Sequence, residues 1–234
     1  MKIPLPKSFA PRQPTIIHDL QEGALCFTSP QINLQIINHQ TLQEKLIIPT
    51  YWSLAKSSIL KSTLQQLNYQ EGVKVIISKY QLKFIISDQK KSREIIYIID
   101  NLFQAFNINQ IALVTLGLRR LISLSNDFNK GTEFISQYLN TPKIYKINDH
   151  NPTQIKLNFD YDLQPYPLKI SVGNVKIKNI HKKVQSAILF QGIFYQKFNH
   201  HYFPNSLSKS QEIVKNYPEI FVKFNNLVEQ IFLN

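Results

Sequence analysis

Arg119 and Arg120 stand side by side inside an almost wholly apolar run, LVTLGLRRLISL, residues 113–124. An extended strand sends neighbouring side chains to opposite faces, so the two guanidiniums cannot share one surface. One must reach solvent or a ligand. The other needs a carboxylate or a cluster of carbonyls, because an unpaired buried charge is costly; failing that, Gly117 must bulge the strand and turn both outward.

Lysine gives the most coherent set of candidates. Lys74, Lys79, Lys83, Lys156, Lys169, Lys176, Lys178 and Lys197 alternate with mainly apolar neighbours in strand-like segments. If those strands share a sheet, their lysines are expected on one solvated face, with Tyr, Asn and Gln between them. Such a face can track a phosphate backbone with little base readout. Edge and surface strands also carry Lys simply to resist aggregation. Lys182 and Lys183, beside His181, are counted with the binding candidates.

Carboxylates suggest a second chemistry. Asp88-x-Lys90 closes an apolar run, FIISDQKK, in the manner of a nuclease half-site in which the acid holds Mg²⁺ and the lysine stabilises the attacking water. The only nearby acid that could complete it is Glu71, and Ser-Asp after a strand is also ordinary turn chemistry. Asp160 and Asp162 fall on one side of a strand, about 7 Å apart if extended, a spacing that could hold a divalent cation or share acid–base work. His200 and His201 are adjacent and so diverge in a strand, which argues against a shared metal. His150 and His181 are isolated. No phosphate-cradling glycine loop or nucleophile elbow occurs among the six glycines. No metal site and no cofactor are expected.

These residues need elements to position them. Four prolines in residues 1–15 make an extended arm, with no apolar core of a secretory signal. Residues 32–49 read as two strand-like pieces. Residues 53–69 read as a helix, from Leu60, Leu64 and Leu67 at helical spacing behind Ser53. Residues 73–87 form one long strand or a hairpin turning near Ser78-Lys79. A helix follows from Ser92, carried by Ile95, Ile98, Ile99, Leu102, Phe103 and Phe106 and ended by Asn107. Then come a strand over 110–124 and a short helix over 132–139. Ile155, Leu157, Phe159 and Tyr161 mark one face of a further strand. Gly173-Asn174 signals a hairpin turn, and Gly192 a bulge or bend in a strand over 184–198. The chain closes on a short helical piece capped at Ser208 and Gln211 and a separate helix opening near Pro218.

The sum is an α+β fold: an antiparallel sheet of hairpins and meanders, helices on one face, and an amphipathic C-terminal helix. Residues 16–234 form one domain, the alternative being a division near 141–153. The chain has 15 Phe and 11 Tyr, enough for a core, and no apolar run of membrane-spanning length. Its single cysteine, Cys26, forms no internal disulfide and suits a reducing cytoplasm. Lys and Arg number 27 against 15 acids, a net charge of +12. That excess points to an anionic partner, nucleic acid first.

Around LGLRRLISL the sequence resembles an uncharacterised, sporadically distributed family of bacterial proteins of about the same length. Its members end an apolar strand with Gly-Leu-Arg-Tyr-x-Asn after an amphipathic helix. Gly117, Leu118 and Arg119 match; Arg120 replaces the tyrosine, and Ser123 falls near the asparagine. The resemblance implies fold and class and no activity. It retains Arg119, which is therefore the arginine expected to point inward. The reading is a cytoplasmic, non-enzymatic binding protein that engages an anionic partner, most readily nucleic acid, through the lysine face with Arg119 and Arg120. The alternatives are a metal-dependent nuclease or phosphodiesterase using Asp88, Lys90, Asp160 or Asp162, and a protein–protein interaction subunit.

Overall fold

The computed structural model describes residues 18–124, 130–138, 152, 154–162, 167–178, 184–198 and 205–230. The proline-rich arm, His150, His181, Lys182, Lys183, His200, His201 and nearly all of the 141–153 segment lie outside them. The strands are β1 (His18–Thr28), β2 (Ile59–Leu60), β3 (Leu64–Asn68), β4 (Val73–Ser78), β5 (Gln81–Ile86), β6 (Leu113–Ser123), β7 (Lys156–Tyr161), β8 (Leu168–Lys178) and β9 (Val184–Lys197). The helices are α1 (His39–Glu44), α2 (Ser92–Ala105), α3 (Lys130–Tyr138) and α4 (Ser206–Val228). All nine strands join one antiparallel sheet in the order β2-β3-β4-β5-β1-β6-β9-β8-β7. The fold is α+β, as the alternating apolar pattern requires.

The alternation decides which face is covered. Leu25 and Phe27 of β1, Val114, Leu116 and Leu118 of β6, and Ile188 and Phe190 of β9 are buried on one face. The helices lie against that face: Phe103 of α2 meets Phe27 edge-on at 5.0 Å. In α4, Tyr217 lies over Gly23 and Phe224 over Gly192. A Cβ on Gly192 would stand 2.8 Å from the Phe224 ring. Gly192 is thus no bulge: both ladders of β9 run through it unbroken, and its missing side chain admits the helix. Gly117 bulges nothing either.

Several expected elements differ. Residues 53–69 are not helical: Leu54 bridges to Tyr69, and β2 and β3 follow. The stretch is rich in serine, whose hydroxyls compete with helical bonds. Here Ser58 Oγ accepts from the Asn68 amide at 2.9 Å. Between residues 32 and 49 the chain makes turns and α1, the latter closed by an Asn38–Thr41 capping box, rather than strands. Residues 73–86 are the hairpin β4–β5, turning through Tyr80 at a left-handed φ of 68° instead of through Gly or Asn. Gly173-Asn174 is no turn, since β8 runs straight through it beside β9. Asn174 is buried, and its side chain accepts from the Ile155 amide at 2.5 Å and donates to Thr132 at 3.0 Å, tying β7 and α3 to β8. The two C-terminal helical pieces are one helix, α4, with Pro218 inside it and Asn205 rather than Ser208 at its cap position. Lys91 precedes α2 at the cap position without a side-chain capping bond to the backbone, while Asn107 beyond its end has a left-handed φ of 52°.

Candidate functional site: the open face of the sheet

The face opposite the helices is half-buried, and among the described residues no helix packs on it. Register assigns its residues. Lys83 of β5 stands between Ile76 of β4 and Cys26 of β1. Cys26 faces Thr115 of β6, which faces Tyr195 of β9. One register step along, Ala24 faces Gly117 and Gly117 faces Ile193. The same logic puts Lys74, Arg119, Lys197, Lys169 and Lys156 on this face. Six cations therefore share it with two acids of the strands, Glu22 and Asp160. The acids are spoken for: Glu22 lies 3.6 Å from Arg119, and Asp160 lies 3.6 Å from Lys169. Lys74, Lys83, Lys156 and Lys197 make no ion pair among the described residues.

The face has a trough. Small side chains at Ala24, Cys26, Thr115 and Gly117 floor a depression of about 370 Å³, with Lys83 on one wall and Arg119 and Gln191 on the other. A Cβ on Gly117 would find only Ala24 Cβ, at 3.6 Å, so that glycine leaves open space above the strand. Burial pushes the Cys26 thiol pKa up, partly countered by the positive charge of Lys83, so the thiol stays protonated and weakly nucleophilic at neutral pH.

The lysine set is only partly confirmed as one surface. Lys176 and Lys178 pair with Ser186 and Val184, one and two alternations beyond buried Asn174, which places them on the helix side. Lys79 sits in the β4–β5 turn. Expecting all strand lysines on one face fails because β8 is a single straight strand; a turn at Gly173-Asn174 would have reset the phase.

The arginine pair divides as the strand geometry requires, in the reverse sense to the expectation drawn from the resemblance. Arg119 faces out, its side chain 55% exposed. Arg120 points inward, with 5% side-chain exposure. Its Nη2 lies 2.6 Å from Asp19 Oδ2 and 3.0 Å from Glu229 Oε1, and its Nη1 donates to the Asn225 carbonyl at 3.1 Å. Burial works against its charge, and the hydrogen bonds and charges of Asp19 and Glu229 outweigh that, raising its pKa. Asp19 is on the helix side of β1, and α4 ends above β6, so both acids converge there; Arg119 has the half-buried Glu22 beside it on the open side instead. Arg120 is a structural clamp joining β1, β6 and the end of α4, with its guanidinium turned away from the open face.

Asp88 and Glu71, the acids of the first nuclease reading, are each engaged by backbone amides. The Asp88 carboxylate accepts from the Lys90 backbone amide at 2.9 Å, closing a turn on itself. Glu71 accepts from the Ser53 amide at 3.1 and 3.2 Å. Asp162 is exposed just past the end of β7, while Asp160 is paired with Lys169. Among the described residues, no three of His, Cys, Asp and Glu come together to hold a metal. No described helix is long and apolar enough to cross a membrane.

The trough floor was missed from sequence. Its signal is small residues at alternate positions, Ala24-x-Cys26-x-Thr28 and Thr115-x-Gly117, which acquire meaning only once β1 and β6 are neighbours. Comparison with known proteins adds no name to this geometry: no protein-family model matches the chain, and no curated protein is significantly similar to it.

Proposed function

We propose that this chain is a cytoplasmic nucleic-acid-binding protein whose open sheet face takes a single strand lengthwise across the trough. One observation carries the reading: among the described residues, six cations and two paired acids of the strands share that face, and four of its lysines make no ion pair. At about 4.8 Å per strand and 3.4 Å per residue, Lys74 on β4 and Lys156 on β7, six strand spacings and four register steps apart, lie roughly 32 Å from each other. That track suits a flexible backbone of regularly spaced phosphates. Tyr195, opposite Thr115 at the trough's edge, offers a ring for base stacking. The small floor residues let the strand approach the sheet. Base readout on such a surface is weak, so the expected preference is for single strands over any particular sequence.

The test is anisotropy of a labelled single-stranded oligonucleotide at about 50 mM salt, where phosphate contacts are strong. Lys83→Glu and Lys197→Glu weaken binding, and Lys178→Glu, on the helix side, does not. Equal loss from all three variants rejects the open face as the site. No binding by the unaltered protein rejects the function.

A further inference from the structure

The two edges of the sheet are finished differently. One edge is β2, only two residues long, a blunt edge of the kind that discourages pairing. The other is β7, six residues without proline, glycine or bulge, and among the described residues its outer side pairs with nothing. Phe159 and Tyr161, on the helix side of this strand, remain 38% and 40% exposed. A long edge with exposed aromatics is a template for another strand.

The phase of that template can be worked out. The Asn174 amide donates to the Ile155 carbonyl at 3.2 Å, and residues 155 and 174 continue the β7–β8 register. In an antiparallel ladder the residues bonded to a neighbour alternate. Residues 155, 157, 159 and 161 therefore direct their backbone groups at β8. Lys156, Asn158 and Asp160 direct theirs outward.

A two-fold axis that pairs this edge with itself can pass through one of those three outward residues or through Leu157 or Phe159 between them, and the last two set Asn158 against Lys156 or against Asp160. An axis at Lys156 sets lysine against lysine, and one at Asp160 sets aspartate against aspartate. An axis at Asn158 gives an overlap that none exceeds and opposes unlike charges. We propose that a second copy of this chain pairs antiparallel with β7 about an axis through Asn158. Lys156 then faces the partner's Asp160 on the open side, and Leu157 faces the partner's Phe159 on the helix side. Asp160, 3.6 Å from Lys169 in its own chain, lies between two lysines. The interface is isologous and closed, and it joins two nine-stranded sheets into one without leaving β7 available to a third copy. It rests on backbone register rather than on the nucleic-acid reading. Because it engages Lys156, the four unpaired lysines of that reading are those of the monomer, below the concentrations at which the dimer forms.

Sedimentation velocity and cysteine cross-linking test it. The contact is small, so the dimer fraction rises over about 1 to 100 µM. Asn158→Pro gives a monomer with unaltered far-UV circular dichroism, because the proline deletes an outward N–H and no bond to β8. Lys156→Asp is monomeric, and Lys156→Asp/Asp160→Lys dimerises again. In the proposed register the two Asn158 Cα atoms are about 5.5 Å apart, within disulfide range, so Asn158→Cys cross-links on oxidation. Lys156→Cys does not, since its two copies stand about 14 Å apart, four residues along the strand. A protein that is monomeric at 100 µM overturns the proposal. So does a dimer that survives Asn158→Pro, a charge swap that restores nothing, or Asn158→Cys failing to cross-link.

Discussion

Replacing Arg120 by alanine should destabilise the protein far more than replacing Arg119, although the two are chemically identical neighbours. The size follows from surroundings. Arg120→Ala removes two buried methylenes, about 0.8 kcal/mol each, and charge-assisted hydrogen bonds worth about 1.5–3 kcal/mol apiece. Much of the polar part is recovered. Asp19 and Glu229 are 28% and 50% exposed and can rehydrate, and the Asn225 carbonyl still accepts from the Glu229 amide. The net expectation is about 3 kcal/mol, the low end for breaking a buried pair. For a chain of this size that is a fall in Tm of roughly 6–12 °C. Arg120→Met keeps the apolar stem and should cost about half as much. Arg119→Ala, whose pair with Glu22 is solvent-exposed and 3.6 Å long, should cost no more than about 0.5 kcal/mol. Urea unfolding followed by circular dichroism at one pH and salt measures all three. If Arg120→Ala costs less than 1 kcal/mol, or Arg119→Ala costs as much, the clamp is wrong.

Glycine positions give a second contrast. Gly23→Ala puts a Cβ 1.6 Å from the Tyr217 hydroxyl, so thermal melting should show a loss of about 1–3 kcal/mol from overpacking under α4. Gly117→Ala, open to the trough, should be neutral or stabilising by up to about 1 kcal/mol. The acid limb of stability offers a third. Burial favours the neutral form of Glu94, but hydrogen bonds from Tyr51 and Lys91 outweigh it and hold its pKa below the ordinary value. A depressed folded pKa contributes stability that is complete above the unfolded glutamate value, about 4.3, and is lost as pH falls through the folded one. Glu94→Gln should therefore flatten the decline in Tm below about pH 4.5, and an unchanged acid slope would contradict the assignment.

Much of the architecture was legible because long strands and amphipathic helices write their period into the chain. The α2 stripe from Ile95 to Phe103 and the alternation in β6 and β7 were readable from residue types alone. The failures share a cause. Leu60, Leu64 and Leu67 fit a helix by spacing, yet strand pairing decided their conformation: Leu64 and Leu67 pair with β4, and Leu60 with β3. Gly173 and Gly192 carry local turn and bulge signals, and what they serve is β7 alongside and the Phe224 ring above. The Arg119–Arg120 split followed from strand geometry; which one turned inward depended on Asp19 and Glu229, 101 and 109 residues away. The trough belongs to the same class, since its floor exists only where β1 and β6 meet.

The central claim is that the open face neutralises phosphates, and the salt dependence of oligonucleotide affinity tests it most directly. Four unpaired lysines contacting a single strand predict a slope of log K against log salt near −2.8, about 0.7 per phosphate. Affinity should then fall about 50-fold between 50 and 200 mM salt, and Lys83→Glu should reduce the slope by about 0.7 or more. A slope shallower than about −1, or one untouched by Lys83→Glu, would contradict the account.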